Sequence, residues 1–257
     1  MPGSLTLSVG TLYAFLLVLA RVGGAIVFVP LPGVKAVPEP MRVAFVLAFT
    51  FALYGRWPAV DASSVTALQI VTWILSEAAL GIAIGVSVAI VLETFALAAQ
   101  ILGQQAGYGY ASMIDPNTEA DSGILLVMAQ LMGGMLFFAV GLDREILRLF
   151  ALSLEKVPAG AYLPGPLSAQ NLIKLGSGLF SVGVRLALPV VALLVMVDVA
   201  LALLGRLNSQ LQLIQMAFPA KMLTALLILS WVASLFPRVL MEFSGHAWAS
   251  ARQLMAK

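Results

Sequence analysis

Long apolar runs restrict what this chain can fold into more strongly than any single motif. Residues 122–142 form an uninterrupted stretch of 21 residues without a charged side chain. A helix that spans a bilayer needs about 20 mostly apolar residues. Because backbone groups inside lipid must be hydrogen-bonded within the protein, only helices and closed barrels can span it. The runs lack the apolar–polar alternation of barrel strands, so the sequence predicts an all-α polytopic membrane protein.

About six apolar segments follow one another, and we predict one integral-membrane domain over residues 1–257 with a polar tail at 238–257. The composition agrees, because 61% of the residues are hydrophobic and only 10% are charged. A soluble domain has about 25% charged residues. Residues 43–55 are short for a complete span. The predicted helical segments are 5–29, 43–55, 67–102, 122–142, 172–204 and 222–236.

Several ionisable residues lie inside these apolar segments. A charge at the bilayer centre costs about 2.5–3.5 kcal/mol on insertion scales, so such side chains usually face protein or water. For Arg21 and Glu93, near the segment ends, we favour a packing or interfacial role. For Arg185 and Asp198 an ion path and a subunit contact both stay open, because Pro189 between them frees a backbone carbonyl.

Small and acidic residues recur at every fourth position of the third segment. They are Glu77, Gly81, Gly85, Ala89 and Glu93. Gly81 and Gly85 form a GxxxG pair, which lets two helix backbones approach closely. We interpret this stripe as a surface for helix packing, within the chain or against another subunit, in preference to a substrate groove.

The sequence contains no recognisable catalytic, metal or cofactor motif. Cysteine is absent, and the only histidine is His246 in the polar tail. No P-loop, HExxH or dinucleotide-binding motif occurs. The net charge of +2, without a run of Lys or Arg, gives no indication of a nucleic-acid surface. We therefore predict a protein that is not an enzyme and needs no cofactor.

One polar loop interrupts the apolar pattern at 103–123, "GQQAGYGYASMIDPNTEADSG". Glycine spacing at its start permits unusual backbone angles. Tyr108, Tyr110, Met113 and Ile114 supply bulk that can fill a pore, and the acids that follow suit the N-terminus of the next helix. From the residues alone, an ordinary connecting loop and a pore-closing plug both remain open.

Four stretches in order resemble the FliR/SctT family of flagellar and type III secretion export proteins. They are "RVGGAIVFVPLPG", "LAAQILGQQAGYGYASMIDP", "LFALSLEKVPAG" and "RLNSQLQLIQMAFPAK". The last is similar to the family signature R-x-x-P-Q-M-N-V-F-x-x-G-F-P-L-K, from which it departs at Ser209, Gln212 and Ala217. The matching positions in this stretch are Arg206, Gln210, Phe218, Pro219 and Lys221.

The resemblance implies bent helical hairpins packed in a hetero-oligomeric export gate of the bacterial inner membrane, at the flagellar basal body. The implied partners are FliP-like, FliQ-like and FlhB-like proteins, membrane lipid and unfolded export substrates. The family's plug loop falls at 104–123 of this sequence. The implied plug residues are Gly107, Tyr108, Gly109, Tyr110, Met113, Ile114, Asp115 and Pro116.

The remaining candidate residues are expected to contact neighbouring subunits. A virulence injectisome component is the alternative within the family. A secondary transporter that uses Arg185 and Asp198 beside Pro189 is the alternative outside it, because broken helices mark such binding sites. The subunit-contact candidates are Glu77, Gly81, Gly85, Glu93, Arg185, Asp198, Arg206, Gln210, Phe218, Pro219 and Lys221.

Overall fold

Every regular element in the described part of the chain is helical, which confirms the all-α prediction. The computed structural model describes residues 8–29, 38–61, 63, 65–107, 124–207 and 213–255. The α-helices of these residues are α1 (Val9–Ile26), α2 (Glu39–Ala52), α3 (Ala67–Ala106), α4 (Ile124–Ala139), α5 (Leu142–Lys156), α6 (Pro166–Leu207), α7 (Leu213–Val232) and α8 (Phe236–Leu254).

Each of the six predicted apolar segments overlaps one of these helices, namely α1, α2, α3, α4, α6 or α7. Among the described residues, three stretches are long and apolar enough to cross a membrane alone: Val9–Ile26, Ala67–Ala106 and Ser168–Arg206. The broken pair of Leu126–Ala139 and Leu142–Lys156 adds a fourth if it forms one span. The 14 residues of α2 are fewer than a full crossing requires, as its sequence predicted.

Local sequence signals explain where several helices begin. At the start of α1, the backbone N–H of Thr11 donates to the Ser8 hydroxyl at 3.1 Å, a typical N-cap. Pro40 lies in the first turn of α2, where a missing N–H breaks no helical bond. Gly141, with φ of +77°, separates α4 from α5 in the left-handed conformation that glycine adopts most easily.

The described residues belong to two compact units. Unit one takes its members from Met1–Ile90, Gly141–Gly176 and Ser244–Lys257. Unit two takes its members from Val91–Val140 and Ser177–Phe243. Helices α3, α6 and α8 therefore contribute residues to both units. The single export-gate domain over 1–257 stays a prediction.

In unit one, α1 and α3 run in the same direction with their backbones in close contact. A Cβ atom on Gly81 would overlap the carbonyl oxygen of Arg21, and one on Gly85 would lie 2.8 Å from the Cα of Ala25. From α1, a Cβ on Gly24 would lie 2.6 Å from the carbonyl oxygen of Ala78. Gly81 and Gly85, four residues apart on α3, therefore lie against Arg21 and Ala25, which are four residues apart on α1.

An aromatic cluster holds the C-terminal end of α2 against α1. Phe15 of α1 lies 5.5 Å from Phe51 and 5.6 Å from Trp57, measured between ring centroids. The indole N–H of Trp57 donates to the carbonyl of Thr50 at 3.0 Å. Because aromatic pairs contribute about 0.5–1.5 kcal/mol beyond area burial, these rings fix a helix that is otherwise largely exposed.

The contact between α1 and α3 predicts that Gly81 does not tolerate a side chain. We expect Gly81→Ala to lower the free energy of unfolding by about 1–3 kcal/mol, because overpacking displaces backbone on both helices. Thermal and SDS-induced unfolding of the purified protein in detergent would measure this change.

Gly103→Ala is the matched control in the same helix, since a Cβ there meets no atom within 4 Å. It is expected to be neutral or to stabilise by up to about 1 kcal/mol. Equal losses for the two variants would contradict the close contact at Gly81.

Candidate functional site

A buried polar site of unit one is formed by an ion pair between Arg21 of α1 and Glu77 of α3. Both side chains are 2% exposed, and the Arg21 Nε group donates to a Glu77 carboxylate oxygen. The remaining guanidinium nitrogens donate to the Ser153 hydroxyl and to the Val157 carbonyl, each at 3.2 Å. The other Glu77 oxygen accepts from the backbone N–H of Gly160 at 3.1 Å. The pair therefore has hydrogen-bond partners on both charged groups.

The same region of α3 holds the connector between α5 and α6. Ser76 donates its hydroxyl proton to the carbonyl of Tyr162, and the ring of Trp73 packs against Gly160. Gly160 has a φ of +72°, and a Cβ there would overlap the Trp73 ring. Glycine is therefore required at this position both by its backbone angle and by the space available.

A second polar cluster lies in unit two and joins α3, α6 and α7. The Lys221 ammonium group lies 2.8 Å and 2.9 Å from the two carboxylate oxygens of Asp198. The side-chain amide of Gln105 donates to the same carboxylate at 3.3 Å. The Lys221 side chain is 14% exposed and the Asp198 side chain 42% exposed. The chain itself therefore encloses this pair only in part, unlike the pair of Arg21 and Glu77.

The helices bring these three side chains together from positions far apart in sequence. Asp198 is the only acid in α6, and Lys221 is the only charged residue in α7. Gln105 lies in the last turn of α3. Two residues later, Gly107 has a φ of +87°, and its N–H donates to the carbonyl of Gln104 at 3.2 Å. The cluster thus lies where the chain leaves α3.

Most of the predicted plug residues lie outside the described residues. Gly107 is described and has the left-handed backbone conformation that its glycine permits. The other members are in the stretch 108–123, whose structure is not described. These are Tyr108, Gly109, Tyr110, Met113, Ile114, Asp115 and Pro116.

The predicted subunit-contact residues occupy several different environments. Glu77, Gly81 and Gly85 lie against α1 of the same chain. Glu93, on the same stripe, is exposed. Arg185 is also exposed, and Asp198 pairs with Lys221. Their contacts with other subunits stay predictions.

The remaining candidates, from the stretch that resembles the family signature, lie around the end of α6 and the start of α7. Arg206 is exposed in the last turn of α6. Phe218 and Pro219 are both within α7, and the Pro219 side chain is exposed. Gln210 lies outside the described residues.

Sequence reasoning did not identify Gln105 and Ser153 as site residues. Each is an uncharged polar residue within a helix. Such residues are common on helix surfaces, so nothing in the sequence marks these two as members of a buried or bridging cluster. The pairings of Arg21 with Glu77 and of Asp198 with Lys221 were also not predicted. One usable signal existed, because an unpaired charge in an apolar segment requires a partner of opposite sign.

Unit two also contains an apolar cavity of about 560 Å³. Side chains from α3, α4, α6, α7 and α8 line it, and three methionines of α4 form much of one wall. Within the described residues, no group of three His, Asp or Glu side chains is placed to hold a metal ion. The representative lining residues are Phe95, Leu102, Met128, Met132, Met135 and Phe236.

Comparison with known proteins gives a consistent family match over nearly the whole chain. Residues 12–247 match the family described as Bacterial export proteins, family 1. The flagellar biosynthetic protein FliR of Escherichia coli is 26% identical, over 93% of this chain and 89% of its own length. The protein of the same name from Bacillus subtilis is 25% identical, over 84% of this chain and 84% of its own length. The one from Caulobacter vibrioides is 24% identical, over 85% of this chain and 87% of its own length.

The buried pair predicts a large asymmetry between single and double substitutions. We expect Arg21→Leu and Glu77→Leu each to destabilise the protein by about 3–5 kcal/mol, because each leaves an uncompensated buried charge. The double variant is expected to recover much of this loss. SDS-induced unfolding in detergent would measure all three.

Arg148→Leu is the control, because it removes an ion pair that is not buried. Arg148 pairs with Glu145 on α5, where the two side chains are 75% and 33% exposed. Its loss is expected to change stability by at most about 1 kcal/mol. A double variant at Arg21 and Glu77 less stable than both single variants would overturn the explanation by an unpaired buried charge.

Proposed function

Because the chain belongs to the family of Bacterial export proteins, family 1, we propose that it is a structural component of the flagellar type III protein export gate. The observation that carries this proposal is the family match over residues 12–247. The relatives named above are flagellar proteins and align over most of their own length. The apolar helices of the chain fit a membrane component of this apparatus.

In this role, the protein joins FliP-like and FliQ-like subunits in the inner membrane, and an FlhB-like protein associates with them. The apolar surface of α6 supports an assembly of this kind. Only 22% of its most apolar 18-residue window is buried within the chain. Lipid or neighbouring subunits must cover the remainder, because large apolar surface is not left in water.

The proposed mechanism is passage of unfolded export substrates through the assembled gate, with no bond chemistry in this chain. A plug built around 104–123 closes the pore at rest and yields during export. The bulky Tyr108, Tyr110, Met113 and Ile114 support this role by their volume. Gly107 supports it by its left-handed turn at the end of α3, from which the chain enters the loop.

The alternatives are less well supported. The relatives named above are flagellar biosynthetic proteins, which favours the flagellar apparatus over an injectisome. A secondary transporter would need Arg185 and Asp198 to act as one site. Asp198 instead binds Lys221, and Arg185 is exposed. We therefore retain the export gate as the proposed function.

Co-purification tests the class of the protein. An affinity-tagged chain, extracted from its native membrane in mild detergent, is expected to bring down small FliP-like and FliQ-like membrane proteins. Mass spectrometry would identify them, with an unrelated tagged membrane protein of similar size as the control. Recovery of a single, monodisperse chain that binds or transports a small solute would contradict an export-gate role.

Deletion of residues 108–114 tests the plug. The assembled gate is expected to become permeable to ions and small solutes, because the bulky residues of the loop are removed. Ion flux into cells or proteoliposomes that contain the complex would measure the leak. A deletion of equal length within the acidic part of the loop, 117–123, controls for loop shortening. Wild-type permeability of a fully assembled 108–114 deletion would refute the plug.

A further inference from the structure

The cluster of Gln105, Asp198 and Lys221 ties together three helices at the point where α3 ends. We propose that it is a latch that fixes the last turn of α3 and holds the export gate in its resting state. This inference rests on the proposed function and adds the element that regulates the gate. We call these three residues the polar latch.

The first argument is geometric. Asp198 receives all the contacts of the polar latch: its carboxylate binds Lys221 at 2.8 Å and 2.9 Å and accepts from Gln105 at 3.3 Å. Removing Asp198 therefore separates Gln105 of α3 and Lys221 of α7 from α6 in one step. Among the described residues, loss of Lys221 leaves Gln105 as the side chain that donates to the carboxylate.

The second argument is the exposure of the pair. Asp198 is 42% exposed, whereas both side chains of the buried pair, Arg21 and Glu77, are 2% exposed. Because the chain encloses the Asp198 carboxylate only in part, separating this ion pair disrupts less packing within the chain than separating a fully enclosed pair. Opening a fully buried pair leaves charges without solvent. The polar latch is therefore suited to open and close, and the buried pair to remain closed.

The third argument is the position of Gln105 on α3. Ala106 is fully buried, and Gly107 turns the chain with a φ of +87° directly afterwards. Gln105 is thus a side-chain link to α6 in the last turn before this bend. Because helix ends fray unless their groups are held, release of Gln105 permits the end of α3 to move.

A direct measurement of the polar latch is the distance between spin labels on α3 and α7. The chain has no cysteine, so Gln104→Cys and Leu223→Cys provide unique attachment sites at exposed positions. In the assembled complex, the parent pair is expected to give a narrow distance distribution by electron paramagnetic resonance. Asp198→Leu and Lys221→Met are expected to broaden it, and Asp198→Asn to have an intermediate effect.

Ion flux through the same complexes measures the consequence for the gate. We expect Asp198→Leu and Lys221→Met to raise the resting leak about fivefold, a factor that corresponds to loss of one exposed ion pair. The charge-swapped double variant, Asp198→Lys with Lys221→Asp, restores an ion pair between α6 and α7. It is expected to return both the leak and the distance distribution toward wild type.

Arg148→Met is the matched control, because it removes a surface ion pair with Glu145 outside the polar latch. An unchanged distance distribution in Asp198→Leu would overturn the latch, and so would a broadened distribution without a rise in leak. Leak from the 108–114 deletion but not from the latch variants would overturn the latch and leave the plug intact. Leak from the latch variants but not from that deletion would support the latch and refute the plug.

Discussion

The fully buried ion pair between Arg21 and Glu77 is the interaction on which the arrangement of unit one depends. Neither charge can be left alone in an apolar interior, because an unpaired buried ion costs several kcal/mol. The pair is also bonded to Ser153, Val157 and Gly160. Any alternative packing of α1, α3, α5 and the α5–α6 connector must therefore give both buried charges hydrogen-bond partners. We infer that the pair specifies one packing more than it adds net stability.

Small residues on α3 make this specification possible. Gly81 and Gly85 let the backbone of α3 reach the carbonyls of α1, and Glu77 lies one turn earlier on the same stripe. Lipid removes most of the hydrophobic driving force between helices, so close packing and polar contacts carry the association. The stripe supplies both, since its glycines set the distance between helices and its glutamate sets their register.

The sequence predicts the helices well because an apolar run in lipid has few other solutions. It also identifies which charged residues are unusual, including Arg21, Glu77 and Asp198. It does not predict their partners, because Arg21 and Glu77 are 56 residues apart and Asp198 and Lys221 are 23 apart. Periodicity within one helix shows which residues share a face, but not which helix covers it. Glu93 shares the stripe of Glu77, yet it is exposed.

The two ion pairs differ in how much free energy is needed to separate their charges. Coulomb attraction between two charges becomes stronger as the local dielectric constant falls, and the free energy needed to separate them rises with it. The pair of Arg21 and Glu77, at 2% exposure, therefore resists separation more strongly than the pair of Asp198 and Lys221, whose carboxylate is 42% exposed within the chain. The proposed export gate needs both properties: a frame that keeps its helices in register and a contact that opens at modest free energy. Depth of burial and the additional hydrogen bonds of the buried pair together produce the difference.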